Sequence, residues 1–254
     1  MTGLIDTHCH LDLLKGSVSA ALEGAREAGV DAMITVGIDV RSSVQSVALA
    51  HAHPEVYATV GLHPHDARKW NERTADELER LARDPRVVAV GECGLDFYRD
   101  LSPRDQQREA FVGQMELARR VGKPLVAHVR EAADEALALL GEHGGGLTVV
   151  MHCFSAPETL DECQRRGYFI SFAGNVTYKN AADLRAAARK VDGDKLMVET
   201  DAPFLTPVPF RGRPNLPERV VHTAALIAEL RGEDGRQLAE IMMANARRAF
   251  GLPS

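Results

Sequence analysis

The chain has 254 residues, 45% of them hydrophobic, enough for one large core and of a size at which a single barrel domain is ordinary. Its formal charge of -6 at pH 7 excludes a surface generally attractive to polyanions, so a nucleic-acid partner must be held by a local site or by bound cations. No apolar run approaches the ~20 residues of a membrane span and the N-terminus lacks the basic-then-apolar layout of a signal peptide, which predicts a cytoplasmic protein with no membrane partner; the four cysteines form no C-x-x-C pair, which predicts reduced thiols.

Short runs rich in Val, Ile and Leu alternate along the chain with segments of helical spacing. "GLIDTH" is followed by "SVSAALEGAREAG", "DAMITVG" by "SSVQSVALAHAHP", "VYATVGLH" by "TADELERLARDP", and "VVAVGE" by "PRDQQREAFVGQMELARRVG". The second half repeats the order: "PLVAHV" with "EAADEALALLGEHG", "LTVVMH" with "APETLDECQRRG", "YFISFA" with "NAADLRAAARKV", and "KLMVETD" with a Pro-rich loop and a last helical region. Several helix candidates end on Gly or Pro, as stop chemistry requires. Eight near-continuously apolar strands, each followed by a helix, predict a parallel sheet covered on its faces and closed into a single-domain (β/α)8 barrel over residues 1–254.

In such a barrel the reactive residues sit at the C-terminal ends of the strands. Six of the ten histidines fall there: His8, His10, His63, His65, His128 and His152. Glu92 ends the fourth run, and Glu199 and Asp201 end the eighth. Alternation along a strand turns His8, His10 and Asp6 to one face and Cys9 to the other; the same reasoning turns Cys93 and Cys153 away from their neighbouring candidates. Asp6, one layer deeper, is expected to support the histidines rather than ligate.

Imidazoles with carboxylates suit divalent ions such as zinc or manganese, with magnesium less well matched to imidazole. His8, His10, Glu92, His128, His152 and Asp201 are too many protein ligands for one open catalytic ion, so two ions bridged by a carboxylate are expected. Such a pair generates a hydroxide near neutral pH and stabilises both oxygens of a displacement. Asp201 is expected to ligate and to take a proton from the attacking water, with Glu92 as its catalytic partner. Glu199 either orients a ligand or holds a further ion.

On "DTHCHLD", "VGLHPH", "VGECGLDFYRD", "PLVAHVREA", "MHCFSA", "VETDAPFL" and "RGRPN", in that order over residues 6–215, the chain resembles the TatD-type metal-dependent hydrolases, a deoxyribonuclease family among the amidohydrolase-like barrels. The resemblance implies His8, His10, Glu92 and Asp201 around one ion and Glu92, His128 and His152 around the other, with His63 and Arg130 near the substrate phosphate. It also implies DNA or another nucleic acid as substrate, cut at an end or in single-stranded form, with no obligate protein partner. The family's usual small residue before the arginine and glycine after "CFS" are Val129 and Ala156 here, and Leu216 follows Asn215 where many relatives have Glu.

The residues themselves add a case for phosphorus. No lysine stands at a strand's C-terminal end to be carboxylated into a bridge, whereas Glu92 can bridge directly. Arg130, Arg211 and Arg213 fall in loops above the same rim, where guanidinium groups pair with phosphate oxygens. Hydrolysis of a C–N or C–O bond, as in an aminoacyl ester, stays open as the alternative, as does a non-catalytic metal protein. Trp70, Phe97 and Tyr98 are candidates for base stacking or for packing. "GEHGGG" follows no strand and reads as a helix stop.

Overall fold

The computed structural model describes residues 3–253. Eight parallel strands run round the sheet in chain order: β1 (Leu4–Cys9), β2 (Val30–Val36), β3 (Val56–Val60), β4 (Val87–Asp96), β5 (Leu125–Arg130), β6 (Val149–Met151), β7 (Phe169–Phe172) and β8 (Leu196–Val198). The two edges meet through a parallel bridge between Cys9 and Ala202, supported by the His10 and Asp201 amides, which donate to the Ala202 and His8 carbonyls. The result is the (β/α)8 barrel expected from the strand–helix alternation.

The helices are α1 (Val18–Glu27), α2 (Val40–Ala52), α3 (Glu72–Ala82), α4 (Arg104–Val121), α5 (Ala133–His143), α6 (Leu160–Arg165), α7 (Ala182–Lys190), α8 (Val220–Arg231) and α9 (Gly235–Phe250). Their starts follow local chemistry. Asp39 and Ser42 form a reciprocal capping box at α2, and Asn71 caps α3 by accepting from the Thr74 amide. Only the end of "APETLDECQRRG" is α-helical, because Pro157–Thr159 form a tighter 3-10 turn first.

Two packed regions divide the labour. The larger lies between strands and helices and takes Leu22, Leu78, Phe111, Leu125 and Leu140. The other joins Ile5, Ile34, Val126, Val150, Phe169 and Met197 with Phe250 of α9. Drawn from most of the strands, this second cluster fills the lumen and floors the polar groups above it. Among the described residues no helix is long and apolar enough to cross a membrane, and all four cysteines are free thiols.

The shortest strands shape the rim. β6 stops at Met151 and β8 at Val198, so His152, Glu199 and Asp201 lie on loop backbone just beyond the barrel's edge. Alternation therefore fails at Cys153: with φ of 44° it turns toward the cavity at this rim rather than away from it. The β1–β2 register shifts between Asp6 and Cys9, and the buried Asp6 side chain accepts from the Thr200 amide and hydroxyl and from the His8 amide. Burial pushes the Asp6 carboxyl up to about 8.

Candidate metal centre

A cavity of about 880 Å³ opens at the C-terminal rim and is lined by His10, His63, His65, Glu92, His128, His152 and Asp201, among others. Of the five non-glycine residues with positive φ among the described residues, four line it: Glu131, Cys153, Asp201 and Leu205. Unusual backbone of this kind concentrates where side chains must be aimed rather than merely packed.

Glu92 stands at the centre, and its two oxygens face different partners. Oε2 lies 3.3 Å from His8 Nε2 and 3.7 Å from His10 Nε2. Those imidazoles in turn face Asp201 Oδ1, at 3.9 Å for His8 and 3.4 Å for His10. Oε1 lies 2.8 Å from His128 Nδ1, 3.2 Å from His152 Nε2 and 3.4 Å from His63 Nε2. One carboxylate thus serves two half-sites, one oxygen each.

Two of the ring nitrogens pointing away from Glu92 have polar neighbours behind them. His10 Nδ1 bonds the Val36 carbonyl at 3.2 Å, and His152 Nδ1 stands 2.7 Å from Glu199 Oε1, which also accepts from the Cys153 amide. Such partners fix tautomer and aim in metal-binding histidines. Both ring nitrogens of buried His8, together with His128 Nε2 and Glu199 Oε2, have no hydrogen-bond partner. Buried polar atoms without partners are costly, and a divalent cation between imidazole and carboxylate answers that cost for His8. Burial, joined by the charge of His152, pushes the His8 imidazole down to about 3, which leaves it neutral and its lone pair available. Burial works against ionisation of Glu92, but the imidazoles that face it, His63, His152 and His8, together with the hydrogen bond from His128, outweigh it and hold the carboxyl well below its usual range. The donor set therefore fits a divalent metal ion.

His63 differs from its neighbours in one hydrogen bond. Its Nδ1 accepts from the His65 amide at 3.1 Å, and burial pushes the imidazole down to about 4. The neutral ring must then carry its proton on Nε2, the atom that faces the cavity and Glu92. His63, Glu92 and His128 do bring three ligand atoms close together. The tautomer makes His63 a donor there, suited to a phosphate oxygen rather than to a cation.

Of the arginines singled out in the sequence, Arg130 lines the cavity with its guanidinium 3.9 Å from the Tyr98 ring. Arg211 and Arg213 do not line it; Arg211 stacks on Tyr178 at 3.8 Å. Trp70 packs against Gly113 of α4, and Phe97 lies under Arg104, so of the three aromatics only Tyr98 stays exposed at this rim. No lysine lines the cavity.

Sequence reasoning left three participants without a role: Asp96, Arg99 and Phe204. Asp96, fully buried, accepts from the amides of Tyr98 and Arg99 and from His65 Nε2. Arg99 and Phe204 line the cavity. Asp96 shares the parity of Glu92 along β4, and that alternation was the signal that could have found it.

The family described as "TatD related DNase" matches residues 5–251. The chain is 36% identical over 251 residues to an uncharacterized metal-dependent hydrolase, YabD, of Bacillus subtilis, covering 97% of this chain and 98% of that protein. It is 40% identical over 245 residues to a 3′-5′ ssDNA/RNA exonuclease TatD of Edwardsiella piscicida, covering 93% and 94%. A crystal structure of YJJV, a TatD homologue from Escherichia coli K12, superposes with a TM-score of 0.93 at 32% identity, covering 98% of both chains.

Proposed function

The chain belongs to the TatD related DNase family, and on that premise we propose that it is a metal-dependent phosphodiesterase that removes nucleotides from the 3′ end of single-stranded DNA in the cytoplasm. The observation that carries this reading is the division of Glu92 between two sets of histidines. His8, His10, Asp201 and Glu92 Oε2 would hold one divalent ion, and Glu92 Oε1, His128 and His152 the other. The imidazole-rich set favours zinc or manganese over magnesium. When bound, two such ions lower the pKa of water and neutralise charge on the oxygens of an in-line displacement.

The protein's own groups do the rest. Asp201, held at the mouth of the first half-site by the hydrogen bond its amide donates to the His8 carbonyl, accepts the proton of the attacking water. His63 donates from Nε2 to a non-bridging phosphoryl oxygen, and Arg130, braced on Tyr98, pairs with the phosphate as charge builds up. Glu199 keeps His152 turned toward the site. Asp6 stays out of the reaction and ties β1 to the β8 loop through Thr200. DNA is preferred over an amide or ester because the rim offers arginines and a directly bridging glutamate.

The test supplies magnesium, manganese and zinc in turn to purified protein with end-labelled single- and double-stranded DNA, RNA, and panels of aryl phosphodiesters, esters and amides. Stepwise shortening of the single strand is expected. Turnover confined to the ester or amide panel would replace the phosphodiester reading.

A further inference from the structure

Large exposed apolar side chains are few here, and their placement is uneven. Leu13, Leu101 and Phe204 line the cavity of the metal centre, and Tyr98 stands beside them on the same rim. Single exposed apolar residues are ordinary on any surface, but three at the mouth of one cavity are not.

Phe204 is the most informative. It is 51% exposed, yet its backbone is fixed at both ends: its amide donates to the Asp201 carbonyl at 2.7 Å and its carbonyl accepts from the buried Asn215 side chain at 2.8 Å. Its ring centre lies 6.0 Å from that of His10. The β8 loop thus holds a half-naked aromatic ring rigidly beside a ligand of the first half-site. Leu13, on the turn after β1, belongs to the neighbouring sector of the barrel. The opposite side of the mouth is cationic, with Arg99 and Arg130. Tyr98 cannot serve in the same way, because Arg130 covers its ring.

From this asymmetry we infer that Phe204, flanked by Leu13, is the platform on which the nucleobase next to the scissile phosphate stacks, and that the enzyme's preference for unpaired strand ends resides there. The inference rests on the proposed phosphodiesterase activity. A base in a duplex is committed to its partner and its stack, whereas an unpaired end offers its π-face to an aromatic ring beside the phosphate site. Every base has such a face, so the platform is tolerant of sequence. The backbone phosphates then run toward Arg99 and Arg130 on the other side.

The experiment compares first-nucleotide release from oligothymidylate with release from the same strand carrying abasic residues at both ends, in manganese, for the parent, Phe204→Ala and Phe204→Tyr. The parent is expected to show kcat/KM roughly tenfold lower on the abasic strand, mainly through KM. Phe204→Ala should bring the two strands within about twofold of each other by losing its advantage on the normal one, and Phe204→Tyr should keep the parent's ratio. Equal rates on both strands in the parent overturn the platform while leaving the phosphodiesterase reading intact. So does a Phe204→Ala enzyme that keeps the full ratio, or one that loses both strands in parallel. Failure to cut either strand overturns the phosphodiesterase reading and the platform with it.

Discussion

Asp96 Oδ2 stands 2.7 Å from His65 Nε2 and 3.5 Å from His128 Nε2, so one fully buried carboxylate faces two imidazoles while its other oxygen accepts the Tyr98 and Arg99 amides. Burial opposes its ionisation, but His128, the Arg99 amide and His65 hold it well below the usual carboxylate range. An unprotonated His128 Nδ1 requires the proton on Nε2, which faces Asp96 Oδ2 at 3.5 Å as an electrostatic neighbour rather than a hydrogen-bond partner. Asp96→Asn should weaken the second ion by roughly 10- to 100-fold with the first unchanged. Chelator competition with manganese, alongside circular dichroism to confirm the fold, checks this; equal weakening of both ions would mean a general loss of structure instead.

His63 is read as a donor to phosphate, not a ligand. His63→Ala should still bind two ions per chain while hydrolysis falls by about 10²- to 10³-fold, the usual cost of a lost transition-state donor. Metal analysis of the purified variant decides the matter, since loss of one ion would place His63 among the ligands.

Gly94 sits between Glu92 and Asp96 with φ of 146°, and a Cβ there would come within 2.0 Å of the His128 carbonyl oxygen. Gly94→Ala must both enter a backbone region that side chains avoid and push β5 away. The expected cost is about 3 kcal/mol, a fall of roughly 10 °C in Tm, with loss of the second ion. A thermal melt within about 2 °C of the parent would show that β4 and β5 adjust freely.

Asp39 supplies a control whose side chain does not line the cavity. Removing the cap in Asp39→Ala should cost about 1 kcal/mol, or roughly 3 °C in Tm, without altering hydrolysis. Burial works against the charge of Asp39, but the Ser42 amide and hydroxyl hold its pKa below 3.8. Because the folded value is the depressed one, the carboxylate's contribution is fully present above pH 3.8 and is lost as pH falls through that lower value. Denaturant midpoints of parent and variant should therefore converge only in strong acid.

Much of this was legible in the chain. Strand–helix alternation gives the barrel because a parallel sheet buried on both faces leaves unbroken apolar runs, and the barrel places His8, His10, Glu92, His128, His152 and Asp201 on one rim. What alternation could not show is where strands stop. β6 and β8 end after three residues, so the loop conformations at Cys153 and Asp201 are set by tertiary hydrogen bonds and not by period. The same limit hid the placement of Arg211 and Arg213, which do not line the cavity although Phe204 and Leu205 of the same loop do, and the exposure of Phe204. The tautomer of His63 depends on the His65 amide, a bond made by the turn after β3 and invisible in "VGLHPH" itself.

The most direct test of the two-ion centre is nucleotide release from an end-labelled single strand as manganese is added stepwise to metal-free protein. The expected result is a rate that saturates at two equivalents per chain and is absent from Glu92→Ala, because Glu92 faces both half-sites. Saturation at one equivalent, or unimpaired release by Glu92→Ala, would contradict it.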